Sequence, residues 1–473
     1  LNGVKLKEPQ LIKDKDQLQL AGLNGVLIIV KKSTSNIITN TQNNLLNKLK
    51  IKSRIIIGRN SECDVILNYG TVSKNHASIS IVDNNYVIED LGSTNGTFVN
   101  GSKIKRSVTL SPTDKIFIGR HQLSLEGKVK DLNEELAITA IGIEQTYLNG
   151  VKALRKMDLS IPSKSITGIM GPSGCGKSTL LKVLNGYLSP SKGKVFLFSQ
   201  ELSTNWEYLK TQIGYVPQDD IIHQELTIEQ CLFFTAKLRL DNLSDEDIYK
   251  KINQILNDLN ILEKKNNLIS SLSGGQRKRI SIAVELLTDP LILFLDEPTS
   301  PLDPQTIDGF LEIIRKLAER GTTIVMVTHK PEDLEYVNEV IFLSDRGHIV
   351  YYGDSKKYKE YFNVKTVISV FSQISGSSAQ IWINKYLNPR PLSNSSSFST
   401  IKPTSQTSVV KQLFWLTRRY FTIKSNDKLN SLLMLLQAPI IAILMCLLFN
   451  EISSAFLFMI VISAIWLGTQ NAA

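Results

Sequence analysis

The run from Gly171 to Thr179 reads Gly-Pro-Ser-Gly-Cys-Gly-Lys-Ser-Thr and fits the pattern G-x-x-x-x-G-K-[ST]. Gly171, Gly174 and Gly176 let backbone N–H groups close around phosphate oxygens, where a side chain would block the approach. Lys177 can reach the outer phosphates, and the Ser178 hydroxyl can ligate Mg²⁺, with Thr179 completing the motif. A glycine-rich turn without a ligand is the bland alternative. The flanks argue against it, because 165–170 reads as a short buried strand and 179–184 as the first turns of a helix whose N-terminus faces the phosphates.

Downstream, 291–295 is a continuous apolar run suited to a strand buried on both faces, and it ends in Asp296 and Glu297. Carboxylates there lie beside the ligand crevice of a parallel sheet. Asp296 is placed to hold Mg²⁺ through water, and Glu297 to polarise the attacking water as general base. A second apolar strand, 323–328, delivers His329 to the same edge, within reach of a γ-phosphate. Gln218 follows the strand pattern 213–217 and can sense Mg²⁺ or the water through its amide oxygen. Tyr147, upstream, offers an aromatic face to adenine; an ordinary strand tyrosine is the alternative.

Between phosphate loop and acidic strand end stands Leu272-Ser273-Gly274-Gly275-Gln276. With that order, residues 135–355 resemble the nucleotide-binding domain of an ABC transporter, an α/β P-loop fold with an α-helical subdomain. The resemblance implies that Ser273, Gly274 and Gly275, with Gln276, bind the γ-phosphate of ATP held by a second copy, so that two sites form across a head-to-tail dimer. Pro217-Gln218-Asp219-Asp220, Leu226-Thr227 and 237–240 are similar to the G subfamily of half-transporters, whose cassette precedes the membrane domain. Pro301 departs from the family's glycine, and proline fixes φ and removes a donor in a loop that would lie between the two ATP sites.

The chain of 473 residues is long enough for several domains. A formal charge of +10 invites nucleic acid as a partner, but acidic residues are interleaved throughout, so nucleic-acid binding is set aside. Cys63, Cys175, Cys231 and Cys446 show no paired spacing, which suggests neither a disulfide framework nor a zinc site.

Residues 49–126 alternate short strand patterns with turn signals and read as an all-β sandwich. Its loops carry Gly58-Arg59, then Ser73-Lys74-Asn75-His76, then Ser93 to Thr97 with Asn95-Gly96. That combination resembles a forkhead-associated (FHA) domain. The resemblance implies a phosphothreonine site of Arg59, Ser73, Lys74, Thr94 and Asn95, with His76 and Gly96 shaping the loops. Two cations and several directional donors suit a phosphate dianion. Residues 1–30 match its end, Gly3 falling on Gly101 and Asp16 on Asp114 at one offset, so a partial first FHA-like copy is expected there. Segments 31–48 and 127–134 read as linkers.

Residues 356–410 read as a Ser/Pro-rich linker, and its threonines Thr400, Thr404 and Thr407 are candidate phosphorylation sites. An amphipathic connecting helix is expected at 411–429, on Leu413, Phe414, Leu416, Tyr420 and Phe421. Within 430–473, the apolar runs 432–449 and 455–467 read as the first two helices of an all-α transmembrane domain, the first close to the ~20 residues a bilayer requires. Basic residues precede the first run, which puts the FHA and nucleotide domains in the cytoplasm, at a plasma or inner membrane. A fragment at both ends is expected.

The leading expectation is an ATP-hydrolysing half-transporter, an exporter, working as a homo- or heterodimer in a lipid bilayer. Its FHA domain would bind a phosphothreonine protein or the chain's own linker. A phosphothreonine-dependent membrane scaffold with weak ATPase is the alternative, and the presence of Lys177, Gln218, Glu297 and His329 weighs against it.

Overall fold

The computed structural model describes residues 17–19, 27–29, 45–126, 129–132, 136–240, 243–300, 302–386, 409–448 and 457–463. Pro301, the threonines at 400, 404 and 407, and parts of both apolar runs lie outside the described residues. Of the expected first repeat, the pair Gln17–Gln19 and Leu27–Ile29 is described as an antiparallel ladder.

The N-terminal sandwich sets one five-stranded sheet, ordered Val65–Ile66, Arg54–Gly58, Ala77–Val82, Asn85–Asp90 and Ser107–Leu110, against another that includes Thr97–Val99, Ile116–Ile118 and His121–Leu123. Period-2 alternation does the sorting: Ile55 and Ile57 are fully buried while Arg54 is exposed. The Asp83-Asn84 and Asn100-Gly101 hairpin loops have positive φ at both central residues, as a type I′ turn requires. In two segments expected as linkers, the described residues, 45–48 and 129–132, are folded. Leu45 and Leu49, four apart on the helix Leu45–Ile51, seat it on the sandwich core. Lys130–Asp131 extends the second sheet, and Leu132 is buried.

In the second domain an antiparallel sheet of Leu136–Thr146, Lys152–Pro162, Lys192–Leu197 and Gln200–Glu201 packs beside a six-stranded sheet. The strands of the latter are β1 (Ile166–Met170), β2 (Ile213–Val216), β3 (Ile292–Asp296), β4 (Thr323–Val327), β5 (Glu339–Leu343) and β6 (Ile349–Asp354). Their order is β2-β3-β4-β1-β5-β6, parallel except for β6. Every residue of β1, β3 and β4 is buried, which is why they read as unbroken apolar runs. Helix α1 (Lys177–Leu184) follows the phosphate loop, while α2 (Ile228–Arg239), α3 (Asp245–Asp258) and α4 (Gly274–Leu286) make the helical subdomain, and α5 (Pro304–Glu319) follows β3.

The linker expected at 356–410 is corrected over its first part. Tyr358–Phe362, Val367–Gln373 and Ala379–Lys385 are short helices whose Tyr358, Phe362, Val367, Val370 and Ala379 are buried. Phe362 packs edge-on against Phe342 of β5 at 5.6 Å, so this stretch belongs to the domain.

Helix α6 (Val409–Asn426) lies on α2 through residues other than those that mark its amphipathic pattern. Trp415 meets Phe233 edge-on at 5.9 Å under Lys237, and Asn426 donates to the Glu225 carbonyl at 2.8 Å. Leu413, Phe414, Leu416, Tyr420 and Phe421 remain exposed. Helix α7 (Lys428–Leu448) follows with Leu432, Leu436, Ile440, Ile443 and Leu447 exposed. Among the described residues no helix is long and apolar enough to cross a membrane.

The two N-terminal domains share a core. Tyr208 is fully buried, stacks on Phe117 at 4.6 Å, meets Phe98 edge-on at 5.2 Å and donates its hydroxyl to the Gly119 carbonyl at 3.0 Å. Removing that ring by Tyr208→Ala opens a cavity between the domains and should cost about 3–5 kcal/mol. Denaturant unfolding followed separately in each domain should show both transitions lowered; an unchanged transition in either would contradict a shared core.

Candidate nucleotide and phosphothreonine sites

The carboxyl ends of β1, β3 and β4 bring the expected residues to one edge. Gly176 is left-handed at φ 100, and a Cβ there would sit 2.6 Å from the Ala153 carbonyl oxygen, so the loop tolerates only glycine at the head of α1. Lys177 Nζ donates to the carbonyls of Gly171 at 3.0 Å and Pro172 at 2.9 Å, folding back across the loop. Ser178 Oγ donates to Asp296 Oδ1 at 3.0 Å, placing two candidate Mg²⁺ ligands side by side. Burial pushes the Asp296 carboxyl above its ordinary range despite the Ser178 hydrogen bond, and the neighbouring Glu297 charge adds to it. The Tyr147 hydroxyl lies 3.0 Å from Thr179 Oγ1, with the ring partly exposed above α1. Cys175 is buried, which raises its thiol pKa and leaves it a passive small residue.

Glu297 is the meeting point. Its Oε2 accepts from Gln218 Nε2 at 3.1 Å and faces His329 Nδ1 at 3.5 Å. Its backbone is left-handed at φ 47, a conformation that costs a non-glycine residue about 1–3 kcal/mol and clusters at functional sites. Ser273 to Gln276 are not part of this cluster. Ser273 caps α4 through a reciprocal box, its Oγ accepting the Gln276 N–H while Gln276 Oε1 accepts the Ser273 N–H. No hydrogen bond or ion pair among the described residues joins them to the phosphate loop.

In the sandwich, the five expected residues converge at one end. Ser73 Oγ accepts from the Thr94 N–H at 3.1 Å, and Asn95 Nδ2 donates to the Thr71 carbonyl at 2.9 Å. His76 is buried and accepts the Ser73 N–H on Nδ1, so its proton sits on Nε2 and points at the Gly96 carbonyl, 3.1 Å away. Burial lowers its pKa and keeps it neutral, stitching two loops together. A Cβ on Gly58 would fall 2.1 Å from the Lys74 carbonyl oxygen, so the Arg59 and Lys74 loops touch backbone to backbone. Arg59 and Lys74 themselves are exposed.

The family model of the ABC transporter matches residues 154–300, and that of the FHA domain matches residues 55–119. This chain carries an ABC transporter ATP-binding domain and an FHA domain. It is 31% identical over 332 residues to the ABC transporter ATP-binding/permease protein Rv1747 of Mycobacterium tuberculosis, which is 67% of this chain and 38% of that one. It is 38% identical over 206 residues to ABC transporter G family member 26 of Arabidopsis thaliana, 42% of this chain and 30% of that one. The chain thus spans well under half the length of these relatives. The solved cbiO1 of Clostridium perfringens, part of the ABC transporter complex cbiONQ, aligns over 53% of this chain and 99% of its own, at 27% identity and a TM-score of 0.45.

Two networks in the ABC cassette escape sequence reasoning. Lys278, in the middle of α4, is fully buried and donates to the carbonyls of Pro217 at 3.0 Å and Gln218 at 2.8 Å. Asp220 sits 3.3 Å from the same ammonium, so the buried charge is fully partnered. In the sequence Lys278 stands within Arg277-Lys278-Arg279, where nothing marks it as the buried member. The second network centres on buried Asp333, which accepts from Thr299 at 2.8 Å and from Thr328. It ties the loop after Glu297 to the loop carrying His329, and burial raises its pKa.

Proposed function

We propose that this chain is the ATP-driven portion of a G-subfamily-like half-transporter, an exporter working as a dimer, with an FHA domain that answers to phosphothreonine. The convergence of Gln218 and His329 on one oxygen of Glu297, beside the Ser178 and Asp296 pair, carries the nucleotide part of this reading.

Adenine lies against Tyr147, and Lys177 exchanges its two carbonyl acceptors for phosphate oxygens. The hard oxygens of Ser178, Asp296 and Gln218 suit Mg²⁺, which when bound neutralises phosphate charge. With Glu297 Oε2 held by Gln218 and His329, Oε1 takes the proton of the attacking water as general base. The amino end of α4 supplies free backbone N–H groups at Gly274 and Gly275 for the phosphates of a second copy. Lys278 makes α4 and the Gln218 loop move as one piece, so dimer closure and water positioning are joined.

Helices α6 and α7 lead from the cassette towards a lipid bilayer, the partner for the exposed stripe from Leu432 to Leu447, with the cassette and FHA domain on the cytoplasmic side. The similarity to membrane-transporter relatives supports this placement.

Composite sites make a mixing experiment decisive. Lys177→Ala and Ser273→Arg variants should each lack ATPase activity as pure preparations. Mixed, they should regain it, because a heterodimer holds one site with an intact Lys177 and an intact Ser273 from opposite subunits. A mixture as inactive as its parts would rule out sites shared between subunits.

A further inference from the structure

We infer that the phosphothreonine site is composite: the cassette supplies its second wall, and helix α4 couples a peptide bound there to the ATP site. This rests on the phosphothreonine reading of the FHA loops and adds a ligand wall and a regulatory route to it.

A cavity of about 790 Å³ opens between the two domains, in the size range of ligand pockets. Arg59, Ser73, Lys74, Thr94 and Asn95 all line one wall. The facing wall belongs to the cassette: Lys250, Lys251 and Gln254 of α3, Leu286 at the end of α4, and Asp289 and Arg320. The two walls approach each other at one end, where a Cβ on Gly70 would stand at an ordinary van der Waals distance, 3.6 Å, from Asp289 Oδ2. A peptide held by the FHA loops therefore has the cassette within contact distance.

The charges divide the work between the walls. On the cassette side each cation is paired: Lys250 with Glu246 at 2.7 Å, Lys251 with Asp289 at 2.5 Å and Arg320 with Asp258 at 2.6 Å. Arg59 and Lys74 have no ion pair among the described residues, so the phosphate belongs to the FHA wall. Residues flanking the phosphothreonine then meet α3, where Gln254 is exposed and uncharged.

Helix α4 joins this cleft to the nucleotide. It runs 13 residues, about 20 Å, from its Ser273 cap to Leu286 in the cleft wall, and Lys278 grips the Gln218 loop on the way. With its amino end at the partner's ATP, as in the shared-site reading above, and its carboxyl end in the peptide cleft, this rod carries a displacement at one site to the other. Coupling of that kind is reciprocal: ATP changes peptide affinity by the factor by which peptide changes ATP affinity.

The test uses the full chain in detergent and a peptide of residues 398–410 phosphorylated on Thr404, titrated by fluorescence anisotropy. Gln254→Glu and Gln254→Lys place opposite charges beside the phosphate and Lys402 of this peptide, and should leave the two variants about fivefold apart in affinity at low salt and closer at high salt. Equal affinities for both would overturn the composite site. In a Glu297→Gln background, saturating ATP should shift peptide Kd by about threefold or more, and an unshifted Kd would overturn the coupling. No peptide binding to the unaltered chain would overturn the phosphothreonine reading as well. Chain phosphorylated on Thr400, Thr404 and Thr407 separates the two sources of the ligand. Loss of peptide capture marks the chain's own segment as occupant, and retained capture marks another protein.

Discussion

Replacing Glu297 by Gln should leave ATP binding intact and lower turnover by about 10²–10⁴-fold, the range a positioned general base supplies. The substitution is nearly isosteric, so the left-handed backbone at 297 and the packing of β3 are undisturbed. What it removes is the site that receives the proton. The Gln218 amide keeps a partner, since the new amide oxygen can accept where Glu297 Oε2 did, at 3.1 Å. Phosphate release in single-turnover and steady-state assays, together with equilibrium binding of a fluorescent ATP analogue, separates the two effects. Phosphate release at the unaltered rate would take Glu297 out of the base role. A parallel fall in binding would mean instead that its charge holds the nucleotide site together.

Arg59→Ala should abolish most phosphothreonine binding without unfolding the FHA domain, because the side chain is exposed. Hydrogen bonds to charged groups contribute about 1.5–3 kcal/mol, so losing a guanidinium on a dianion should weaken Kd by roughly one to two orders of magnitude. Arg59→Lys restores the charge but not the planar fork, and should fall between the two. An unphosphorylated peptide gives the baseline for the titration. Affinity retained in Arg59→Ala would assign the phosphate to Lys74 and the Ser73–Thr94 pair instead.

The chemistry at strand ends was readable because it depends on local order: a phosphate loop between a buried strand and a helix, and acids ending an apolar run. The hairpin turns at Asp83-Asn84 and Asn100-Gly101 were readable for the same reason, since only a few residue types accept positive φ. Pairings across the fold leave no such trace. Lys278 looks like a surface cation until the carbonyls of Pro217 and Gln218 close over it. Asp333 gains its role from Thr299 and Thr328, which reach it from separate loops. The helices between 358 and 385 are too short, and too broken by polar residues, to show a helical period, yet each contributes an aromatic or aliphatic residue to the core. On α6 the exposed aromatics dominate the pattern, while the packing residues are Trp415 and Ile423.

The Tyr208 junction bears on how this chain can be dissected. Deleting the FHA domain would take away Phe98 and Phe117 and leave the Tyr208 ring bare on the cassette, its hydroxyl without the Gly119 carbonyl. A truncated cassette that aggregates or hydrolyses ATP poorly would then report a sticky scar, not the loss of a regulator. Arg59→Ala, which leaves that seam closed, is the cleaner way to test what phosphothreonine binding does.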